Sequence, residues 1–372
     1  ITNVTATTAD GSYKAGDTIT ITVTLSEAVD VTGTPTLTLG TDNDATYLSG
    51  SGTNELTFTY TVVDGDTTSD LDYKATGSLS GTLKDTALNN ATLTLVTPGT
   101  SGSLAANKEL VLDTTSPTIN NVTATTADGS YKAGDTITIT VSLSEAVDVD
   151  VTGTAPTLTL GTGNDATFSS GSGTNKLTFT YTVKEGDTTS DLDYLTTTSL
   201  SGTLKDTALN NATLTLVTPG ENGSLAANKE LVLDTTSPTI TDVTATTANG
   251  SYKAGDTITI TVSLSEAVDV TGTPKLTLGT GNDATYSSGS GSDTLTFKYR
   301  VKAGDTTSDL DYDTKRSLSG TLKDTALNNA ILTLAKPGRL GSLAANKTLV
   351  LDTTAPTINN VTATTADGSY KA

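Results

Sequence analysis

Asp17-Thr18-Ile19-Thr20-Ile21-Thr22-Val23-Thr24-Leu25 places threonine and an aliphatic residue at alternate positions. A period of two belongs to a strand with one buried and one solvated face, not to a helix. Threonine keeps β-propensity while facing water, which suits it to the outer positions. The same alternation runs through Thr36-Leu37-Thr38-Leu39, residues 55–62 and residues 91–95, and in shorter register through residues 109–112. Ala45 to Tyr47 and Leu79 to Lys84 read as further strands. Gly33, Gly40, Asn43-Asp44, Gly50 to Gly52, Gly65 and Gly99 punctuate the intervals. The one helical feature expected is a turn between Asp85 and Asn90. About seven or eight short, half-buried strands predict an all-β sandwich of two antiparallel sheets.

The pattern is written three times and begun a fourth. Ile1, Ile119, Ile240 and Ile358 each open the same motif, at spacings of 118, 121 and 118 residues. The additions of the longer second copy are expected partly at Asp150 and Ala155 and partly near Pro219, where turns can absorb them. A unit of this length exceeds solenoid repeats and suits a domain with its own core. The expected domains are 1–118, 119–239 and 240–357, arranged end to end, with 358–372 opening a fourth. The first residue falls inside the pattern, so the sequence is expected to be part of a longer array. Between copies stands Leu110-Val111-Leu112-Asp113-Thr114-Thr115-Ser116-Pro117, repeated from Leu231 and, with Ala355 for serine, from Leu349. Proline fixes its own φ and extends the residue before it, so this linker is too short to swivel freely.

Composition excludes several chemistries. The chain has 372 residues, a net charge of -20, and no Cys, His, Met or Trp. Disulfides, thiolate or imidazole metal sites and histidine-based catalysis are therefore absent. The negative charge opposes nucleic acid and anionic membranes, and no apolar run is long enough to span a bilayer. Paired carboxylates of a glycosidase would require an active site that differs from copy to copy and an aromatic platform, and neither is present. Gly50-Ser51-Gly52 lacks the lysine of a phosphate loop and reads as a hairpin turn. Asn-x-Thr triplets at Asn3, Asn90, Asn121 and Asn211 fit a glycosylation sequon but come cheaply in a threonine-rich chain. The chain is not expected to be an enzyme.

Carboxylates recur at strand ends. Counting strand directions groups Asp10, Asp17, Asp70, Asp72 and Asp113 at one pole, facing Glu145, Asp148, Asp206 and Asn210 of the next copy. Asp70-Leu71-Asp72 turns both carboxylates to one side of an extended chain. Crowded carboxylates need a counter-ion, and an all-oxygen set suits Ca2+. The competing reading makes Asp17, Asp70 and Asp72 turn residues that accept backbone N–H groups, with Asp44 and Asp66 facing solvent.

Gly16-Asp17-Thr18-Ile19, Ser26-Glu27-Ala28-Val29, Gly65-Asp66-Thr67, Asp70-Leu71-Asp72-Tyr73, Lys84-Asp85 and Leu112-Asp113-Thr114-Thr115 together give the chain its family likeness. It resembles the tandem bacterial immunoglobulin-like repeats of giant secreted surface proteins and adhesins, in the style of cadherin-like and RTX-adhesin extender domains. The resemblance implies immunoglobulin-like sandwiches, an extracellular, cell-surface or secreted location, and calcium near the junctions. It carries a metal role to Glu27, Asp70, Asp72, Asp85 and Asp113. In the later copies the equivalents are Glu145, Asp191, Asp193, Asp206, Asp234, Glu266, Asp309, Asp311, Asp324 and Asp352. Asn249 stands where the first two copies have Asp10 and Asp128, which argues against that position as a ligand. The implied function is a calcium-stiffened extender whose partners are neighbouring repeats, with lateral assembly into a fibre or surface layer compatible with it. The alternative is an adhesive module whose repeats bind a glycan or protein. Differences between copies, at Tyr47-Leu48, Phe168-Ser169, Tyr286-Ser287, Thr100, Glu221 and Arg339, are expected to add no aromatic cluster and no concave polar site.

Overall fold

A computed structural model describes residues 1–371. Strand accounts for 46% of the chain and helix for 3%, so the all-β expectation holds. The residues form two compact units, and the division runs through the second copy. One unit contains Ile1–Asp128, Thr136–Thr182 and Asp191–Leu231; the other contains Gly129–Asp135, Val183–Ser190 and the chain from Val232 onward.

The first copy, wholly in the first unit, shows the plan. Its elements are β1 (Asn3–Ala6), β2 (Gly11–Tyr13), β3 (Thr18–Thr32), β4 (Thr36–Thr38), β5 (Asp44–Ser49), β6 (Thr53–Thr61), β7 (Thr67–Thr68), β8 (Thr82–Lys84), α1 (Leu104–Asn107) and β9 (Leu110–Asp113). One sheet has the order β1-β3-β6-β5-β4, with β8 also on β3, and a second has the order β2-β9-β7. The second sheet departs from the all-antiparallel expectation, because β2 pairs with β9 in parallel, from Gly11 opposite Leu110. These strands come from opposite ends of the copy, so no hairpin constrains their direction.

Alternation explains the core. Ile19, Ile21 and Val23 of β3, Leu56 and Phe58 of β6, and Leu110 and Leu112 of β9 are fully buried in one cluster that draws on both sheets. The threonines between them face outward. Alternation breaks at Ser26-Glu27-Ala28, and there the register against β6 shifts between Thr24 and Val29. Beyond this bulge β3 continues and pairs with β8, Asp30 opposite Lys84.

Two local expectations are corrected. Residues 91–95 form no ladder; Ala91 N–H donates to the Leu83 carbonyl and Leu95 N–H to that of Thr76, both at 2.8 Å. The segment alternates because it lies extended over the core, burying Leu95. The turn expected at Asp85 to Asn90 forms, Leu88 N–H donating to the Asp85 carbonyl at 3.0 Å, but the one helix of the copy, α1, lies outside it. It forms where Ser103 caps Leu104-Ala105-Ala106-Asn107 by accepting the Ala106 N–H.

The insertion in the second copy has a visible effect. Thr136–Val149 meets Leu204–Lys205 over two residue pairs, against three for β3 and β8 of the first copy. Residues 358–371, expected to open a fourth copy, form no strand, and Ile358 and Val361 are exposed.

Candidate metal centres

Three local features converge on each of two acidic clusters. The first feature is the bulge. It recurs between Ser142 and Val147 and between Ser263 and Val268, and lifts Glu145 and Glu266 out of the ladder. Bulges commonly re-aim a side chain in this way. The second feature is the turn after Lys205 and Lys323. Asp206 Oδ1 accepts the Asn210 N–H at 2.9 Å, Oδ2 accepts Asn210 Nδ2 at 2.8 Å, and Leu209 adopts φ 66° to close the loop. Asp324 and Asn328 repeat it with both contacts at 2.8 Å. The third feature is the strand end carrying Asp113 or Asp234.

Asp113, Glu145 and Asp206 each offer a carboxylate oxygen, all within 4.8 Å of one another, and Asp234, Glu266 and Asp324 do the same. The first set lies within the first unit and the second within the second. Asp206 is 2% exposed and Asp324 3%. Burial is the main cause raising the pKa of Glu145 above its ordinary value, followed by the charges of Asp113 and Asp206; Glu266 is raised by burial, Asp234 and Asp324. Among the described residues no lysine or arginine forms an ion pair with these six carboxylates. Half-buried carboxylates so close together repel one another and are costly without a cation. The donors are all oxygen, which suits a hard divalent ion.

The linker is fastened around each cluster. Asn210 Nδ2 also donates to the Asp113 carbonyl, and Thr213 N–H donates to that of Pro117, both at 2.8 Å. Thr118 donates its N–H to Ser144 Oγ at 2.9 Å and accepts the Ser144 N–H at 2.8 Å. The second linker makes the same bonds through Asn328, Ile331 and Ser265 to Asp234, Pro238 and Thr239.

Other sequence-expected residues lie elsewhere. Asp70 Oδ1 accepts the Leu110 N–H at 3.3 Å, as Asp191 does from Leu231 at 3.4 Å and Asp309 from Leu349 at 3.1 Å. Asp72 accepts the N–H groups of Tyr73 and Gly99; Asp193 those of Tyr194, Gly220 and Leu225; Asp311 those of Tyr312 and Gly338. Leu110 begins β9 and Asp113 ends it, about 10 Å apart, so the direction count placed Asp70 and Asp72 at the wrong end of the strand. Asp10 stands at that same end, accepting the Glu109 N–H at 3.2 Å. Asn249 accepts the Thr348 N–H at 3.1 Å, so the position needs one carbonyl-like oxygen and no charge. Asp17 accepts the Lys14 N–H as a turn residue.

Glu27 and Asp85 line a pocket of about 210 Å³ with Ile1 and Asn89, the counterpart of the other sites without an aspartate in the role of Asp113. Asp352 accepts the Thr354 N–H at 3.0 Å. Asp66, expected in solvent, is 7% exposed, accepting the Tyr60 hydroxyl, the Val63 N–H and Asn43 Nδ2. An inward-phased tyrosine needs an acceptor for its hydroxyl, and that was the available signal.

Comparison with protein-family models and with curated proteins finds no match for this chain. Among the described residues no helix is long and apolar enough to cross a membrane.

Proposed function

We propose that the chain is an extender: tandem immunoglobulin-like sandwiches, with domains at 1–118, 119–239 and 240–357, stiffened by calcium where one repeat meets the next. It serves outside the cell, on a bacterial surface or in a secreted filament, and its partners are its own neighbouring repeats. The observation that carries this reading is the half-buried acidic triad built from a linker aspartate and two acids of the following repeat. Calcium fits better than magnesium, because it accepts several carboxylates in tolerant geometry whereas magnesium keeps most of its water. Asp113, Glu145 and Asp206 would hold one ion, and Asp234, Glu266 and Asp324 another. A bound ion offsets the repulsion that otherwise strains the linker. Asn210 and Asn328 hold the buried aspartate and the linker carbonyl in register whether or not an ion is present.

The test is amide hydrogen exchange across residues 113–118 and 234–239, with thermal unfolding, in calcium and in chelator at matched ionic strength. For a dissociation constant of roughly 10 μM, about 1 mM calcium adds ~2.7 kcal/mol per site. The linkers are expected to gain protection and the melting temperature to rise. Equal protection and equal melting temperatures in the two conditions would sink the proposal.

A further inference from the structure

The third copy departs from the other two in charge. Residues 1–118 hold 14 acids against 4 bases, residues 119–239 hold 14 against 5, and residues 240–357 hold 12 against 11. Part of the difference is gathered on one sheet face. Lys298, Arg300 and Lys302 replace Thr59, Thr61 and Val63 of the first copy, and Lys275 replaces Thr36. Phe297 and Tyr299 point into the core, so the basic residues between and beyond them share the outer face and are exposed. Their spacing along the chain is about 7 Å. Lys275 pairs with Thr285, and Thr285 with Lys298, which puts a fourth cation about 10 Å across the sheet.

These residues line a groove of about 600 Å³ with Thr257, Thr285 and Asn282. Its one carboxylate, Asp283, is paired with Lys275 at 3.3 Å. Lys298 and Arg300 have no ion-pair partner among the described residues. The expectation that copy differences add no concave polar site therefore fails in the third copy: Lys275, Lys298 and Arg300 are strand residues on the outer face, and Lys302 directly follows the strand.

We infer that this groove is a binding site for an anionic polysaccharide, one bearing carboxylate or sulfate groups along an extended chain. A line of separated cations complements such a polymer, and the threonine hydroxyls match its neutral hydroxyls. The lining suits other polyanions less well. Tyr299 is buried, so no aromatic face is presented to a nucleobase. No exposed aromatic or large aliphatic side chain supplies the anchor of a protein interface. This inference is independent of calcium at the linkers.

The experiment measures binding of the full chain to immobilised heparin, alginate and neutral dextran, in chelator so that calcium cannot bridge two anions. The variant Lys298→Thr/Arg300→Thr/Lys302→Val restores the residues of the first copy. Lys315→Thr/Lys336→Thr/Arg339→Thr removes three basic residues outside the groove, again in favour of first-copy residues. The parent and the second variant are expected to bind at least one anionic polymer in a salt-dependent manner and not dextran, and the first variant to bind at least tenfold more weakly. Melting curves establish that both variants fold. Equal binding by the two variants, or no binding of either anionic polymer by the parent, overturns the inference. Salt-dependent self-association abolished by the first variant, without polysaccharide binding, overturns it in favour of a second copy of the chain.

Discussion

A carboxylate that loses water and gains two charged neighbours holds its proton to higher pH, and burial puts Glu145 and Glu266 in that position first, their aspartate neighbours second. The stability consequence has a definite sign. A raised pKa in the folded state means that folding favours the protonated form. The group's contribution is then best below its unfolded value, about 4.3, and is lost as pH rises through the raised folded value. Asp10, Asp85 and Asp128 are shifted the other way, each first by its side-chain hydrogen bond to Lys108, Asn89 or Lys229, so the informative quantity is the difference between parent and variant. In chelator, Glu145→Gln/Glu266→Gln is expected to be more stable than the parent at pH 7, with the gap closing as pH falls toward 4. In calcium the order reverses, because the variant has lost two ligands. Calorimetric melting across this range checks both limbs, and parallel profiles in chelator would remove the strain attributed to the glutamates.

At the scale of elements, the long strands were legible because each repeats one rule many times. Ile19, Ile21 and Val23 occupy alternate positions, and burying all of them allows one register. The alternation stops at Ser26-Glu27-Ala28, and the structure shows there a bulge that was not expected from the sequence, which presents the glutamates of the candidate metal centres. What escaped depends on single contacts. Residues 91–95 alternate like a strand yet have no partner strand, and alternation cannot report pairing. Asp70 and Asp113 are carboxylates on the same short stretch of sheet, and only the direction of β9 separates them. That direction follows from the parallel pairing of β2 and β9, which no hairpin signal announces. The insertion around Asp150 offers a direct test of how length governs pairing. Deleting Asp150-Val151-Thr152 makes the second copy as long as the first, in which β3 and β8 form three pairs. The Thr203 amide is then expected to exchange about tenfold more slowly, and the melting temperature to stay level or rise. Faster exchange at Leu204 and Lys205 would mean that the added residues support the short ladder instead of interrupting it.

For the whole molecule, the net charge of -20 works against compactness, and the two half-buried triads place part of it where water screens it less. The first copy supplies an internal control. Its Asp85 and Asn89 make the same turn as Asp206 and Asn210, at 2.8 Å and 2.8 Å, but without a preceding linker they are more open to solvent. Identical local sequence therefore yields a buried or a half-buried aspartate according to whether residues equivalent to 113–118 lie over it. If cation binding needs that cover, the chain takes up two ions with high affinity and not three. Isothermal titration with calcium is expected to give two sites for the parent, one for Asp113→Asn or Asp234→Asn, and none for the double variant. Glu27→Gln/Asp85→Asn leaves the count at two. The distinction is sharp because all three sites contain the same glutamate and turn aspartate, and only the linker aspartate and its burial differ. A third site of equal affinity, abolished by the change at Glu27 and Asp85, would show that the bulge and turn suffice. The linker would then be a fastening between repeats and not a part of the metal centre.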